Sequence, residues 1–231
     1  MSKTTRILVT GGDGILAQAL RPYFPLAEYC GRQTCDVTNA GHVRHAFQQL
    51  KPELVIHCAA ETSHNADPIA YVVGNVQGTV NVVLQAKKLG ARVVYPSTDY
   101  LGARAEHDSV RPVNQYAASK YAGEQVAGSL GNSLVVRGSW YSRLELSHAA
   151  TDAFTSKLPV DRAAYYLATL AVSNLTGVIN IGGPRRTIYS IALEFNEKVV
   201  PVSRKQIHCG YEIPPDSSLD TEKLTTWLKA S

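Results

Sequence analysis

Short apolar runs recur along this chain between segments of helix length, and no other feature constrains its fold as strongly. Residues 6–10, 26–30, 54–59, 92–97 and 134–137 read as strands, with helices over 14–21, 40–50, 68–89 and 114–130. Pro22 and Pro52 stop the first two helices and Gly90 caps the third. In Leu54-Val55-Ile56 and Val93-Val94-Tyr95 consecutive residues are apolar, whereas a strand with one wet face would alternate. The pattern predicts an α/β fold whose parallel sheet is covered by helices on both faces. After about residue 139 the rhythm loosens into a helix over 160–173, a strand over 177–181 and a terminal helix over 220–229. Residues 1–138 with the helix 160–173 are expected to form the sheet domain, and 139–159 with 176–231 a small substrate lobe.

At 231 residues the chain is long enough for one substantial domain and a lobe, and too short for two full domains. No apolar run could span a bilayer, and no charged-then-apolar leader precedes the first strand, so a cytoplasmic protein is expected. Cys30, Cys35, Cys58 and Cys209 share no C-x-x-C spacing and read as free, mostly buried thiols. The net charge of +4 comes from scattered basic pairs, not from a stripe, which argues against nucleic acid. It suits an anionic small molecule such as a dinucleotide or a nucleotide sugar. His42 and His45 stand three apart on a helix without a third ligand, so they read as a solvated face and no metal is expected.

The first strand empties into Thr10-Gly11-Gly12-Asp13-Gly14-Ile15-Leu16-Ala17. Glycines there allow a tight turn and close approach of a pyrophosphate, and the following helix offers its unpaired N–H groups. Ala17 stands where a third glycine is usual, and its small side chain still lets helix and sheet pack closely. The turn makes the expected fold a doubly wound sheet of the Rossmann type. Beyond the second strand, where a carboxylate would hold the adenosine ribose, the residues are Gly31-Arg32. Arg32 can pair with a 2′-phosphate, which favours NADP(H); Glu28 keeps NAD(H) open.

Tyr116-Ala117-Ala118-Ser119-Lys120 opens an alanine-rich helix, so phenol and ammonium share one face. A nearby cation favours phenolate and would bring the tyrosine's proton transfer toward neutral pH. Ser97-Thr98-Asp99-Tyr100 falls at the carboxyl end of a strand, where a hydroxyl could polarise a substrate carbonyl. Cys58-Ala59-Ala60 leaves room beside a cofactor. Asp216-Ser217-Ser218 reads as the cap of the last helix, and Trp227 as the residue that packs it down.

These pieces, in this order, resemble the extended short-chain dehydrogenase/reductase family, and within it the dTDP-4-dehydrorhamnose reductases. The resemblance also rests on Cys35-Asp36-Val37-Thr38, residues 51–60, Asn75 with Gly78-Thr79 and Asn81, residues 112–124, Arg137 to Tyr141, 177–182 and 215–224. It implies Thr98 as carbonyl-polarising hydroxyl, Tyr116 as proton donor, and Lys120 as the ligand of the nicotinamide ribose that lowers the phenol's pKa. It implies that Gly11, Asp13, Gly14, Ile15 and Leu16 cradle the pyrophosphate and that Asp36 and Val37 flank the adenine. Ala59, Ala60 and Thr62 would line the cofactor's middle, and Thr98, Asp99 and Trp140 would meet the substrate. The chain departs from the family at Glu61, usually tyrosine, at Leu101-Gly102-Ala103, and in 141–159, where a helix of the lobe is missing. The expected activity is NADP(H)-dependent reduction of a 4-keto nucleotide sugar, with a homodimer left open. An epimerase or dehydratase of the same superfamily, which Asp99 would serve, and a regulatory subunit that binds cofactor without chemistry are the rivals.

Overall fold

The computed structural model describes residues 5–63 and 66–230, so part of the N-terminal stretch read for a leader lies outside the described residues. β1 (Ile7–Thr10) leads into α1 (Ile15–Leu20), β2 (Glu28–Cys30), α2 (Ala40–Leu50) and β3 (Leu54–His57). Next come α3 (Pro68–Tyr71), a π-helical turn (Val72–Gln77), α4 (Gly78–Leu89), β4 (Arg92–Pro96), α5 (Gln115–Gly128) and β5 (Leu134–Arg137). The remainder holds β6 (Trp140–Tyr141), β7 (His148–Ala150), β8 (Phe154–Thr155), β9 (Leu158–Pro159), α6 (Val160–Ala171) and β10 (Gly177–Asn180). It ends with β11 (Arg186–Thr187), α7 (Ile188–Ala192), β12 (Val200–Val202) and α8 (Glu222–Ala230).

Six parallel strands form the main sheet in the order β10-β5-β4-β3-β1-β2. The consecutive apolar residues explain the two covered faces, because neighbours on a strand point opposite ways. Val9, Ile56, Val94 and Val136 pack with Leu16 and Leu20 of α1 and Leu167 and Leu170 of α6. Leu8, Val55 and Val93 pack on the other face with Val43 and Phe47 of α2 and Val82 of α4. Among the described residues no helix is long and apolar enough to cross a membrane.

Two expectations change. The helix expected over 68–89 is interrupted by the π turn, which carries the buried Asn75. The division at 176 also moves: β10 pairs with β5 as an edge of the main sheet, and Leu224 and Trp227 of α8 pack on its core. Ile179 and Leu224 are apolar enough to be drawn into that core, so the tail returns to the sheet domain. What remains as a lobe is built from two-stranded pairs, β7 with β12, β8 with β11 and β6 with β9. Residues 141–159 hold only short strands.

Candidate active site

The turn after β1 is shaped by one glycine above all. Gly11 has φ +67°, and a Cβ there would lie 2.6 Å from the backbone N and Cα of Ala59, so a side chain is excluded both by conformation and by space. The Gly14 N–H donates to the Gly11 carbonyl (2.9 Å), and Gln18 Nε2 donates to the Gly12 carbonyl (2.6 Å), which closes the loop. α1 starts at Gly14 with no side-chain cap, and Ala17 is fully buried between helix and sheet. The loop therefore presents backbone, not side chains, to the crevice at the carboxyl ends of β1 and β3, where the winding of the sheet reverses.

That crevice is a cleft of about 600 Å³ lined by Gly11, Asp13, Gly14, Arg32, Asp36, Val37, Ala59 and Ala60, all of them expected, together with Gly31, Cys58, Glu61, Val73 and Gly74. Arg32 is largely exposed, its guanidinium 3.9 Å from Asp36 Oδ2. Burial alone would raise the Asp36 carboxyl, but the Thr38 N–H and hydroxyl, with Arg32 and His42 nearby, hold it below the ordinary range. Asn81 Nδ2 donates to the Val37 carbonyl (2.9 Å) and fixes this end of the cleft.

Five expected cofactor residues stand apart from the cleft lining, Ile15, Leu16 and Thr62 and also Tyr116 and Lys120, which lie beyond Cys58. Leu16 turns its side chain into the core and Ile15 is half exposed, so only their backbone faces the turn. Thr62 is exposed, and Glu61 takes its place in the wall. Asn75 sets this register by accepting from the Glu61 N–H (2.7 Å) and donating to the Glu61 carbonyl (3.1 Å).

β4 and α5 bring the chemical group together. Thr98, Asp99 and Lys120 are buried. The Thr98 hydroxyl lies in hydrogen-bonding reach of the Tyr116 phenol, and the Tyr71 ring meets Tyr116 edge-on at 6.1 Å. Burial, the Asp99 carboxylate and Tyr71 push the phenol's pKa up, and the Thr98 bond offsets this only in part. This corrects the expectation that Lys120 would lower it. The Lys120 ammonium sits over the Tyr95 ring (4.0 Å to the centroid) and is itself pushed down to about 8 by burial, with Cys58 and Glu124 opposing. A phenol held protonated is a proton donor, not a base.

Asp99 is engaged by its own chain: its carboxylate accepts from Ser217 Oγ (3.0 Å), and the Thr155 and Thr98 hydroxyls lie at 3.4 and 3.5 Å. Burial raises its pKa against the pull of Lys157 and Ser217. Trp140 is half-buried against the main core. The last helix is capped by Asp220, which accepts from the Glu222 N–H (2.8 Å), while the Asp216 carboxylate pairs with Arg185 (2.8 Å). His42 and His45 are exposed, and among the described residues no group of three or more His, Cys, Asp and Glu gathers for a metal.

A family model, the RmlD substrate binding domain, matches residues 5–152. The chain belongs to this family. It is 29% identical over 139 residues to methionine adenosyltransferase 2 subunit beta of Pongo abelii, covering 52% of this chain and 42% of that protein. It is 29% identical over 150 residues to dTDP-4-dehydrorhamnose reductase of Streptomyces griseus, covering 58% and 49%. The chain thus spans about half the length of these curated relatives. The crystal structure of dTDP-4-dehydrorhamnose reductase from Bacillus anthracis str. Ames in complex with NADP superposes with a TM-score of 0.87 at 26% identity, over 97% of this chain and 93% of that one.

In this member of the RmlD family the sequence reading singled out Thr98, Tyr116 and Lys120 and gave no role to the residues that surround them. Asn75 also donates to Ser119 Oγ (2.8 Å), which donates to the Tyr116 carbonyl (2.7 Å). Glu124 and Arg137 form a buried bidentate pair (2.8 Å at the shortest) that ties α5 to β5. Asn75 and Thr79, which carry part of the resemblance, and His57, a polar residue closing an apolar strand, were the signals for the network beneath the cleft.

Proposed function

We propose that this chain is an NADP(H)-dependent reductase of a 4-keto nucleotide sugar. The observation that carries the reading is the Thr98 hydroxyl bonded to the Tyr116 phenol, with Lys120 one helical turn on and next to Cys58, which lines a glycine-walled cleft of about 600 Å³. A side chain at Gly11 would run into the Ala59 backbone and push the turn away from the end of β3, and the bare backbone kept there supports a pyrophosphate site. Gly11, Asp13 and Gly14 would hold that pyrophosphate, Arg32 and Asp36 the adenosine end, and Ala59, Ala60 and Glu61 the middle. NADPH supplies the hydride that reduces the ketone carbon. Thr98 donates a hydrogen bond to the ketone oxygen and stabilises the charge that develops there. Tyr116 passes its phenolic proton to that oxygen, and the raised pKa keeps the proton available at neutral pH. Lys120, while protonated, would hold the cofactor's ribose. The short-strand lobe, latched through Ser217 and Thr155 onto Asp99, takes the sugar. The free thiols suit a cytoplasmic address.

The likeness to a subunit of methionine adenosyltransferase supports a second reading, a cofactor-binding regulatory subunit. Absorbance at the reduced-nicotinamide band with dTDP-4-keto-6-deoxy-mannose separates them. A reductase consumes NADPH in proportion to sugar reduced; NADPH that binds tightly and is never consumed contradicts the proposal.

A further inference from the structure

His57 is fully buried at the end of β3 and has no place in the chemistry above. Its imidazole spans two elements: Nδ1 lies 2.7 Å from Thr10 Oγ1 at the end of β1, and Nε2 lies 3.1 Å from Thr79 Oγ1 on α4. The Thr79 hydroxyl spends its proton on the Asn75 carbonyl (2.6 Å), so its oxygen accepts from His57 Nε2–H. That assignment leaves Nδ1 to accept from the Thr10 hydroxyl, whose oxygen is 3.4 Å from the Ala59 N–H. From Asn75 the same chain of bonds continues through Ser119 to the Tyr116 carbonyl. One set of hydrogen bonds thus runs from the strand that ends in the phosphate turn to the residue that delivers the proton.

We propose that His57 is a positioning residue, a two-sided bridge that fixes the floor of the cofactor cleft against the helix carrying Tyr116 and Lys120. Among side chains, a neutral imidazole supplies an acceptor and a donor at opposite edges of one rigid ring. Its surroundings keep it neutral. Burial and the Lys120 ammonium of α5 hold its pKa down to about 3, and the Tyr95 ring of β4 stands 5.8 Å away. The other groups facing it are the hydroxyls of Thr10 and Thr79. A second cation there would also oppose Lys120, so the bridge and the ribose-binding ammonium both call for a neutral His57.

The inference rests on the reductase reading, and its test separates the two. His57→Leu and Thr79→Val are compared with the parent for kcat, NADPH affinity and the primary isotope effect from NADPH deuterated at the transferred position. Misplacing hydride donor and proton donor by a fraction of an ångström lowers kcat by about 10- to 100-fold and raises the isotope effect, with NADPH affinity held within about threefold. Thr79→Ser, which keeps the hydroxyl, restores both. Thr79 touches neither cofactor nor substrate, so Thr79→Val keeps the test alive if His57→Leu does not fold. Unchanged kcat and isotope effect in folded His57→Leu or Thr79→Val overturn this inference alone. A parent that consumes no NADPH overturns the functional reading and this inference with it.

Discussion

Tyr116 and Lys120 share one face of α5, yet burial moves their titrations in opposite directions. Lys120 is charged below its pKa of about 8 and loses that charge as pH rises through it, while Tyr116 stays protonated to higher pH. kcat/KM for the keto sugar is therefore expected to hold steady near neutrality and to fall above about pH 8. A profile flat from pH 7 to 10 would contradict this. The four-residue spacing was legible in the sequence because helix geometry alone puts the pair on one face. The shifts were not, since they come first from burial under other segments, with Asp99 and Tyr71 adding to the rise at Tyr116 and Cys58 opposing the fall at Lys120. Arg32 was legible for the reason that makes it testable, an arginine in the place of a ribose-binding carboxylate. Arg32→Ala is expected to weaken NADPH about tenfold more than NADH, near the worth of one charged contact; equal weakening would remove the basis for preferring NADPH.

At the scale of elements, the turn between β1 and α1 is the most constrained part of the molecule. Gly11→Ala forces a Cβ to 2.6 Å from Ala59 in a left-handed backbone. It is expected to cost more than about 1 kcal/mol of stability and to abolish tight NADPH binding. Gly128→Ala is the control, because nothing lies within 4 Å of its added Cβ and alanine suits a helix. Denaturant melts and a cofactor titration of both variants decide the point, and equal behaviour would contradict it. The strands and helices of the sheet domain were legible because short unbroken apolar runs alternate with helix-length segments bounded by Pro22, Pro52 and Gly90. The π turn and the two-residue strands of the lobe were not. Such short pieces carry no period of their own, and Asn75, which gives the π turn its use, acts through Glu61 and Ser119.

Across the whole molecule the chain doubles back, so the division into domain and lobe follows contacts and not sequence position. β10 and α8 rejoin the sheet, while Phe154 pairs with the stretch around Asp216 and brings Thr155 and Ser217 to Asp99. Leu224 of α8 is buried in the core shared with α1 and α6. Leu224→Ala is thus expected to destabilise the entire protein by about 2–5 kcal/mol in one cooperative thermal transition. A separate early transition confined to the tail would show that the tail is an independent unit. The sequence could not display this return, because one apolar residue in a terminal helix does not say which core receives it. The central claim, that Tyr116 is the proton donor of a cofactor-dependent reduction, meets its most direct test in Tyr116→Phe. Single-turnover oxidation of bound NADPH by the keto sugar is expected to slow by about 100-fold or more, with the NADPH dissociation constant unchanged. Equal rates in Tyr116→Phe and the parent protein would contradict the account.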